Sequence, residues 1–139
     1  MNERVAPTGY ADLTVAVIDD DELITQLVER ILERMGIGNV YRVTRSHRFI
    51  DMIAEGIGGM HLIICDIGMP HVDGHAILRA VREADADVPF IMLTADQSDE
   101  AVTRAIAGGV SAYVVKPIDP AALSERIAAV LERAYGIKR

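Results

Sequence analysis

The stretch His61-Leu62-Ile63-Ile64-Cys65-Asp66-Ile67-Gly68-Met69-Pro70-His71-Val72-Asp73-Gly74 decides how this chain folds. Leu62 to Cys65 are four consecutive apolar residues, the pattern of a short strand buried on both faces. They stop abruptly at Asp66, and Gly68, Pro70 and Asp73-Gly74 follow as turn formers. A carboxylate therefore sits at the carboxyl end of a core strand. In open parallel α/β sheets that edge is where ligands bind. An isolated Asp after a strand more often just begins a solvated turn, so the remainder of the chain has to decide.

Working outward, the same motif recurs. Leu13 to Ile18 reads as a first strand running into Asp19-Asp20-Asp21-Glu22. Ile24, Leu27, Val28, Ile31, Leu32 and Met35 then fall at helical spacing from about Asp21, and Gly36 stops that helix. Asp21 and Glu22 are explained by the helix dipole, which favours acidic residues in a first turn. Asn39 to Val43 is a weaker strand, followed by a helix from Ser46 to Glu55 that Gly56, Gly58 and Gly59 end. Beyond the central strand, Asp73 or Gly74 opens a third helix with Ile77, Leu78 and Val81 inward. Val88 to Leu93 is a fourth strand ending in Thr94-Ala95. Ser98 or Asp99 caps a fourth helix, closed by Gly108-Gly109, and Ser111 to Val115 is a fifth strand ending in Lys116-Pro117. Asp119 as N-cap and Pro120 in the first turn launch a last helix through Leu123, Ile127, Val130 and Leu131.

Five alternations of strand and helix require a parallel sheet with helices on both faces, because each crossover returns right-handedly to the same edge. The expected architecture is one α/β domain over residues 12–135, with a flexible tail at 1–11 and another at 136–139. Asp19, Asp20, Asp66, Thr94 and Lys116 then converge on one sheet edge.

Composition removes several function classes. The 139 residues suffice for one domain with a substantial core, and 50% hydrophobic with 25% charged residues is ordinary globular usage. A net charge of −7 argues against direct nucleic-acid binding, which needs clustered Lys and Arg on phosphates. Cys65 is the only cysteine, so no internal disulfide can form, as suits a reducing cytoplasm. No apolar run is long enough for a membrane helix, and no signal-peptide core is present. A cytoplasmic protein is expected.

Three carboxylates in one place repel; at an effective dielectric of about 20, each pair 4 Å apart costs on the order of 4 kcal/mol. Lys116 offsets one charge, and a hard divalent ion such as Mg²⁺, which takes oxygen ligands and keeps several waters, offsets two more. A carboxylate so screened can attack phosphorus, with Thr94 and the backbone N–H groups near Gly68 and Ala95 left to bind the phosphoryl group.

Four fragments, V-A-V-I-D-D-D-E, I-I-C-D-I-G-M-P-H-V-D-G, P-F-I-M-L-T-A and A-Y-V-V-K-P, occur in this order at the strand ends. Together they resemble the receiver domain of bacterial two-component response regulators, over roughly residues 12 to 135. The resemblance implies a flavodoxin-like, doubly wound five-stranded parallel sheet of order 2-1-3-4-5. It implies that Asp66 is phosphorylated by a phosphohistidine of a sensor histidine kinase or histidine phosphotransferase. Asp20, Asp66 and the Gly68 carbonyl would bind Mg²⁺ directly, and Asp19 largely through water. Lys116 would pair with phosphoryl oxygens, and Lys116-Pro117 would be a cis peptide. Thr94 and Tyr113 match the family's switch pair, through which the face of the fourth helix, fifth strand and fifth helix changes for a downstream target. The kinase would dock near Leu23, Gln26, Arg30 and Ile118.

The resemblance leaves output open. With only residues 136–139 after the last helix, a single-domain regulator is expected, as monomer or phosphorylation-dependent dimer; a receiver cut from a longer regulator is the alternative. A receiver that binds partners without phosphate, or a small-molecule aspartyl-phosphate phosphatase, would be the rival classes. The phosphatase reading wants a second carboxylate where Gly68 stands. Gly68 also lacks the side chain many relatives carry there, and Asp96 occupies the other position that tunes attack by water. His71 and His75 could form a metal pair but are read as loop residues; His47 and His61 are read as surface or edge residues.

Overall fold

A computed structural model describes residues 6–56, 59–68 and 73–138. Its strands are β1 (Thr14–Ile18), β2 (Asn39–Val43), β3 (Leu62–Asp66), β4 (Phe90–Thr94) and β5 (Ala112–Val115). Its helices are α1 (Glu22–Met35), α2 (Ser46–Glu55), α3 (Gly74–Ala84), α4 (Asp99–Gly108) and α5 (Pro120–Tyr135). All strand pairs are parallel, in the order β2-β1-β3-β4-β5.

Strand alternation divides the core into two layers. Val15, Val17, Leu62, Ile64, Ile91 and Leu93 face α1 and α5, meeting Val28, Leu32, Leu123, Ile127 and Leu131. Ala16, Ile18, Ile63, Cys65, Phe90 and Met92 face the other way, onto Phe49 and Ile53 of α2, Ile77, Leu78 and Val81 of α3, and Ala105 of α4. β3 and β4 are buried along their whole length, which is why Leu62 to Cys65 shows no polar alternation.

Helix ends follow local chemistry. The side chains of Asp21, Asp73, Ser98 and Asp119 accept N–H groups of the first turns of α1, α3, α4 and α5. Gly36 closes α1 in the left-handed region at φ 96°, its N–H donating to the carbonyls of Glu33 and Leu32.

Several boundaries differ from the sequence reading. β4 starts at Phe90, because Pro89 has no N–H for the ladder and contributes only its carbonyl, to Ile63 N–H at 3.0 Å. Ser111 lies outside β5, but its Oγ accepts the Phe90 N–H at 3.0 Å. Leu13 precedes β1 and is fully buried. The segment just before β1 is also built into the fold. Tyr10–Asp12 form a 3₁₀ turn, closed where Thr8 donates from N and Oγ to the Asp12 carboxylate. Tyr10 packs in the α1/α5 layer, and its carbonyl accepts the Gly38 N–H at 3.1 Å. At the other end, Ile137 joins the same layer.

His61, read as a surface or edge residue, lies at the amino end of β3 but is only 7% exposed. Its Nδ1 accepts the Thr14 N–H at 2.9 Å, and its ring meets Tyr135 edge-on with centroids 5.7 Å apart. Tyr135 Oη donates to the His61 carbonyl at 2.6 Å. The pair ties the carboxyl end of α5 to the base of the sheet.

The Gly38 contact is testable. A Cβ on Gly38 would run into the Ala11 carbonyl, whereas one on Gly59 would meet nothing within 4 Å. Gly38→Ala is expected to destabilise the fold by about 1–3 kcal/mol in urea titration, and Gly59→Ala by less than about 0.5 kcal/mol.

Candidate functional site at the carboxyl edge of the sheet

β1 and β3 are neighbours, so the residues that leave their carboxyl ends are neighbours too. Asp19, Asp20 and Asp66 each offer a carboxylate oxygen within 4.8 Å of the others. Asp19 is 1% and Asp66 6% exposed, while Asp20 is open to solvent. Lys116 reaches in from the end of β5. Its Nζ lies 3.0 Å from Asp19 Oδ2 and 3.2 Å from Asp66 Oδ1. Burial weakens the Lys116 ammonium, but its hydrogen bond to Asp19 and the charges of Asp19 and Asp66 outweigh that, leaving its pKa above the ordinary value. Lys116 is therefore a fixed cation at neutral pH.

Asp19 titrates above the ordinary 3.8, because burial and the charge of Asp66 outweigh the Asp21 N–H and Lys116 bonds that favour its ionised form. One ammonium does not fully compensate this cluster. Clustered hard oxygens with one open carboxylate suit a hard divalent cation, so the donor set fits the ion that the sequence reading assigned to it.

The backbone completes the site. The Gly68 N–H donates to Asp66 Oδ1 at 3.3 Å, so Lys116 and Gly68 both engage that oxygen. Thr94 ends β4 beside this edge and is 1% exposed; its Oγ accepts the Asp96 N–H at 2.9 Å. Tyr113 Oη donates to the Asp96 carbonyl at 2.6 Å. The backbone of Asp96 thus links Thr94 to Tyr113. The Asp96 carboxylate accepts the Ser98 N–H at 2.9 Å, and its bonds to Ser98 lower its pKa. Ala95 is exposed next to Thr94, and the Lys116-Pro117 bond is cis.

A model of the response regulator receiver domain matches residues 15–128. The chain belongs to this family. Two-component response regulator ARR2 of Arabidopsis thaliana is 34% identical over 111 residues, 78% of this chain and 16% of that protein. Transcriptional regulatory protein YvrH of Bacillus subtilis is 30% identical over 125 residues, 90% of this chain and 52% of that protein. The receiver thus spans about half or less of these curated relatives. Response regulator DrrB of Thermotoga maritima superposes with TM-score 0.76 at 29% identity, over 87% of this chain and 53% of that one. The BeF3-activated DrrB receiver domain gives 0.77 at 29% identity, over 87% and 98%. Control by phosphorylation is general to receiver domains, and among the described residues no helix is long and apolar enough to cross a membrane.

Among the other candidates, Cys65 is wholly buried, and burial followed by the charge of Asp66 pushes its thiol pKa well up, so it is a packing residue of the receiver. His71 lies outside the described residues. His75 sits in the first turn of α3, its pKa lowered by burial and by Arg104. His47 is exposed, as expected.

Sequence reasoning took Gly74 for a helix start and missed its second role. A Cβ there would lie 2.5 Å from the Asp66 carbonyl and 2.6 Å from Ile67 Cα, so α3 packs directly on the backbone that carries Asp66. Gly74→Ala is expected to cost about 1–3 kcal/mol by denaturant titration, with the largest amide shift changes at residues 66–68. Gly68→Ala, whose Cβ meets nothing within 4 Å, should stay within about 0.5 kcal/mol of wild type.

Proposed function

We propose that this receiver is a phosphorylation-controlled switch in which Asp66 takes the phosphoryl group of a phosphohistidine on a sensor histidine kinase or histidine phosphotransferase. The observation that carries this is Lys116, a cation held 3.0 Å from Asp19 and 3.2 Å from Asp66 at the edge where the buried strands end. Asp66 Oδ1 is engaged by Lys116 and Gly68, which leaves Oδ2 as nucleophile. It attacks phosphorus, the P–N bond to imidazole breaks, and an acyl phosphate forms. Lys116 and the Thr94 hydroxyl then turn to phosphoryl oxygens, with the N–H groups of Gly68 and Ala95 as further donors.

Asp20, Asp66 and the Gly68 carbonyl are the direct ligands proposed for Mg²⁺, with Asp19 holding it largely through water. When bound there, the ion supplies positive charge against the phosphoryl oxygens. The activation of the DrrB receiver by BeF3 supports the same use of the site here.

The readout follows from Asp96. If the Thr94 hydroxyl moves toward the phosphoryl group, its bond from the Asp96 N–H is strained, and Asp96 in turn holds Tyr113. A charge change at Asp66 thereby reaches β5 and the start of α4, whose Ile106 is 66% exposed for a downstream target. Leu23, 74% exposed on α1, suits the kinase-docking surface.

Two experiments test this reading. Incubation with acetyl phosphate and Mg²⁺ should add the mass of one phosphoryl group to the wild type and none to Asp66→Asn, by intact-mass spectrometry; an adduct on the variant would place the acceptor elsewhere.

Mg²⁺ should also stabilise the unphosphorylated chain, by about 2.7 kcal/mol at 100 times its dissociation constant. Because the folded pKa of Asp19 lies above 3.8, ionising Asp19 costs stability as pH rises through that window, and the cation recovers it. As pH falls, Mg²⁺ must compete with the proton on Asp19. The Mg²⁺-induced rise in melting temperature should therefore begin to fade at a higher pH than an ordinary Asp would give, and be largely lost in Asp19→Asn at neutral pH.

A further inference from the structure

The charge of this chain is unevenly placed. Between Glu33 and Asp51 the sequence carries Arg34, Arg42, Arg45 and Arg48 and none of its 21 acidic residues, in a protein of net charge −7. The fold brings three of these arginines to one place. Arg42, Arg45 and Arg48, with Tyr41, Val43 and Met52, line a shallow groove of about 250 Å³ running from β2 onto α2.

β2 is an edge strand, paired with β1 on one side and with no other strand of the sheet. Its outer edge offers N–H and C=O groups to a further strand. Tyr41 is 53% exposed there, because α2 covers Val43 but leaves the preceding residue on that face open. Arg42 is tied to Glu29 of α1 at 3.4 Å. Among the described residues, Arg45 and Arg48 are exposed and form no ion pair.

We infer that the β2 edge with Tyr41, Arg45 and Arg48 is a docking surface for an extended acidic segment of a partner protein, which adds to the sheet alongside β2. Backbone pairing supplies the register, an apolar side chain of the segment covers Tyr41, and its carboxylates meet Arg45 and Arg48. A second copy of this chain is the wrong occupant, since pairing two β2 edges would set arginines against arginines. Nucleic acid is disfavoured by the remaining acidic surface. Arginines that merely guard the edge against self-pairing would attract an acidic peptide by charge alone, without pairing to β2, so slowed amide exchange along β2 on binding decides between guard and dock.

The test uses the full chain without phosphodonor, so it is independent of the role of Asp66. Fluorescein-labelled decapeptides of alternating Glu and Val, and of alternating Lys and Val, are titrated by anisotropy at low and high salt, beside a short DNA duplex. The Glu–Val peptide is expected to bind saturably, to weaken with salt, to shift amides of residues 39–48 and to slow exchange along β2. The double variant Arg45→Glu/Arg48→Glu should weaken it by about tenfold, as the loss of two rim charge pairs implies, while melting temperature and acetyl-phosphate labelling stay unchanged. Equal binding of the Lys–Val peptide, shifts confined to other surfaces, tighter binding of the duplex, or no effect of the double variant would each overturn the assignment.

Discussion

Everything at the functional edge depends on one ammonium group shared by two buried carboxylates. Asp19 and Asp66 leave adjacent strands with little access to water, and Coulomb repulsion between them would be poorly screened. Lys116, from the far side of the sheet, brings the opposite charge to both. The cluster is thus stable enough to fold, yet it retains a surplus of negative charge that an added cation can relieve. A site fully neutralised by side chains would have no reason to take up a metal.

The parallel sheet makes this arrangement possible. Asp19 and Lys116 are 97 residues apart in sequence and 3.0 Å apart in space because every crossover returns the chain to the same edge. The packing behind the edge is equally demanding. Gly74 admits α3 against the Asp66 backbone, and the buried runs of β3 and β4 fix the direction from which Asp66 and Thr94 emerge.

What could be read from the sequence was what local pattern encodes. Apolar runs ending in charge placed the strands, caps such as Asp21 and Asp119 placed the helices, and alternation placed Asp19, Asp66, Thr94 and Lys116 on one edge. What could not be read was contact between residues remote in sequence. Tyr10 resembles tail because the Gly38 N–H that its carbonyl accepts, and Met35 and Ile37 of the layer it joins, belong to the end of α1 and the turn after it. His61 resembles a polar edge residue because nothing nearby in sequence announces the Thr14 N–H or the Tyr135 hydroxyl. The run of arginines from 34 to 48 is plain in the sequence, but only the strand order puts it beside an open edge.

The clamp between His61 and Tyr135 bears on how a signal can leave the molecule. α5 is anchored at its far end by Tyr135 and Ile137, and along its length by Leu123, Ile127 and Leu131. These contacts hold α5 to the sheet at its far end and along its length. With Asp66 as the acceptor proposed above, a signal written there would be displayed as a changed relief on the surface around it, read by whatever touches it.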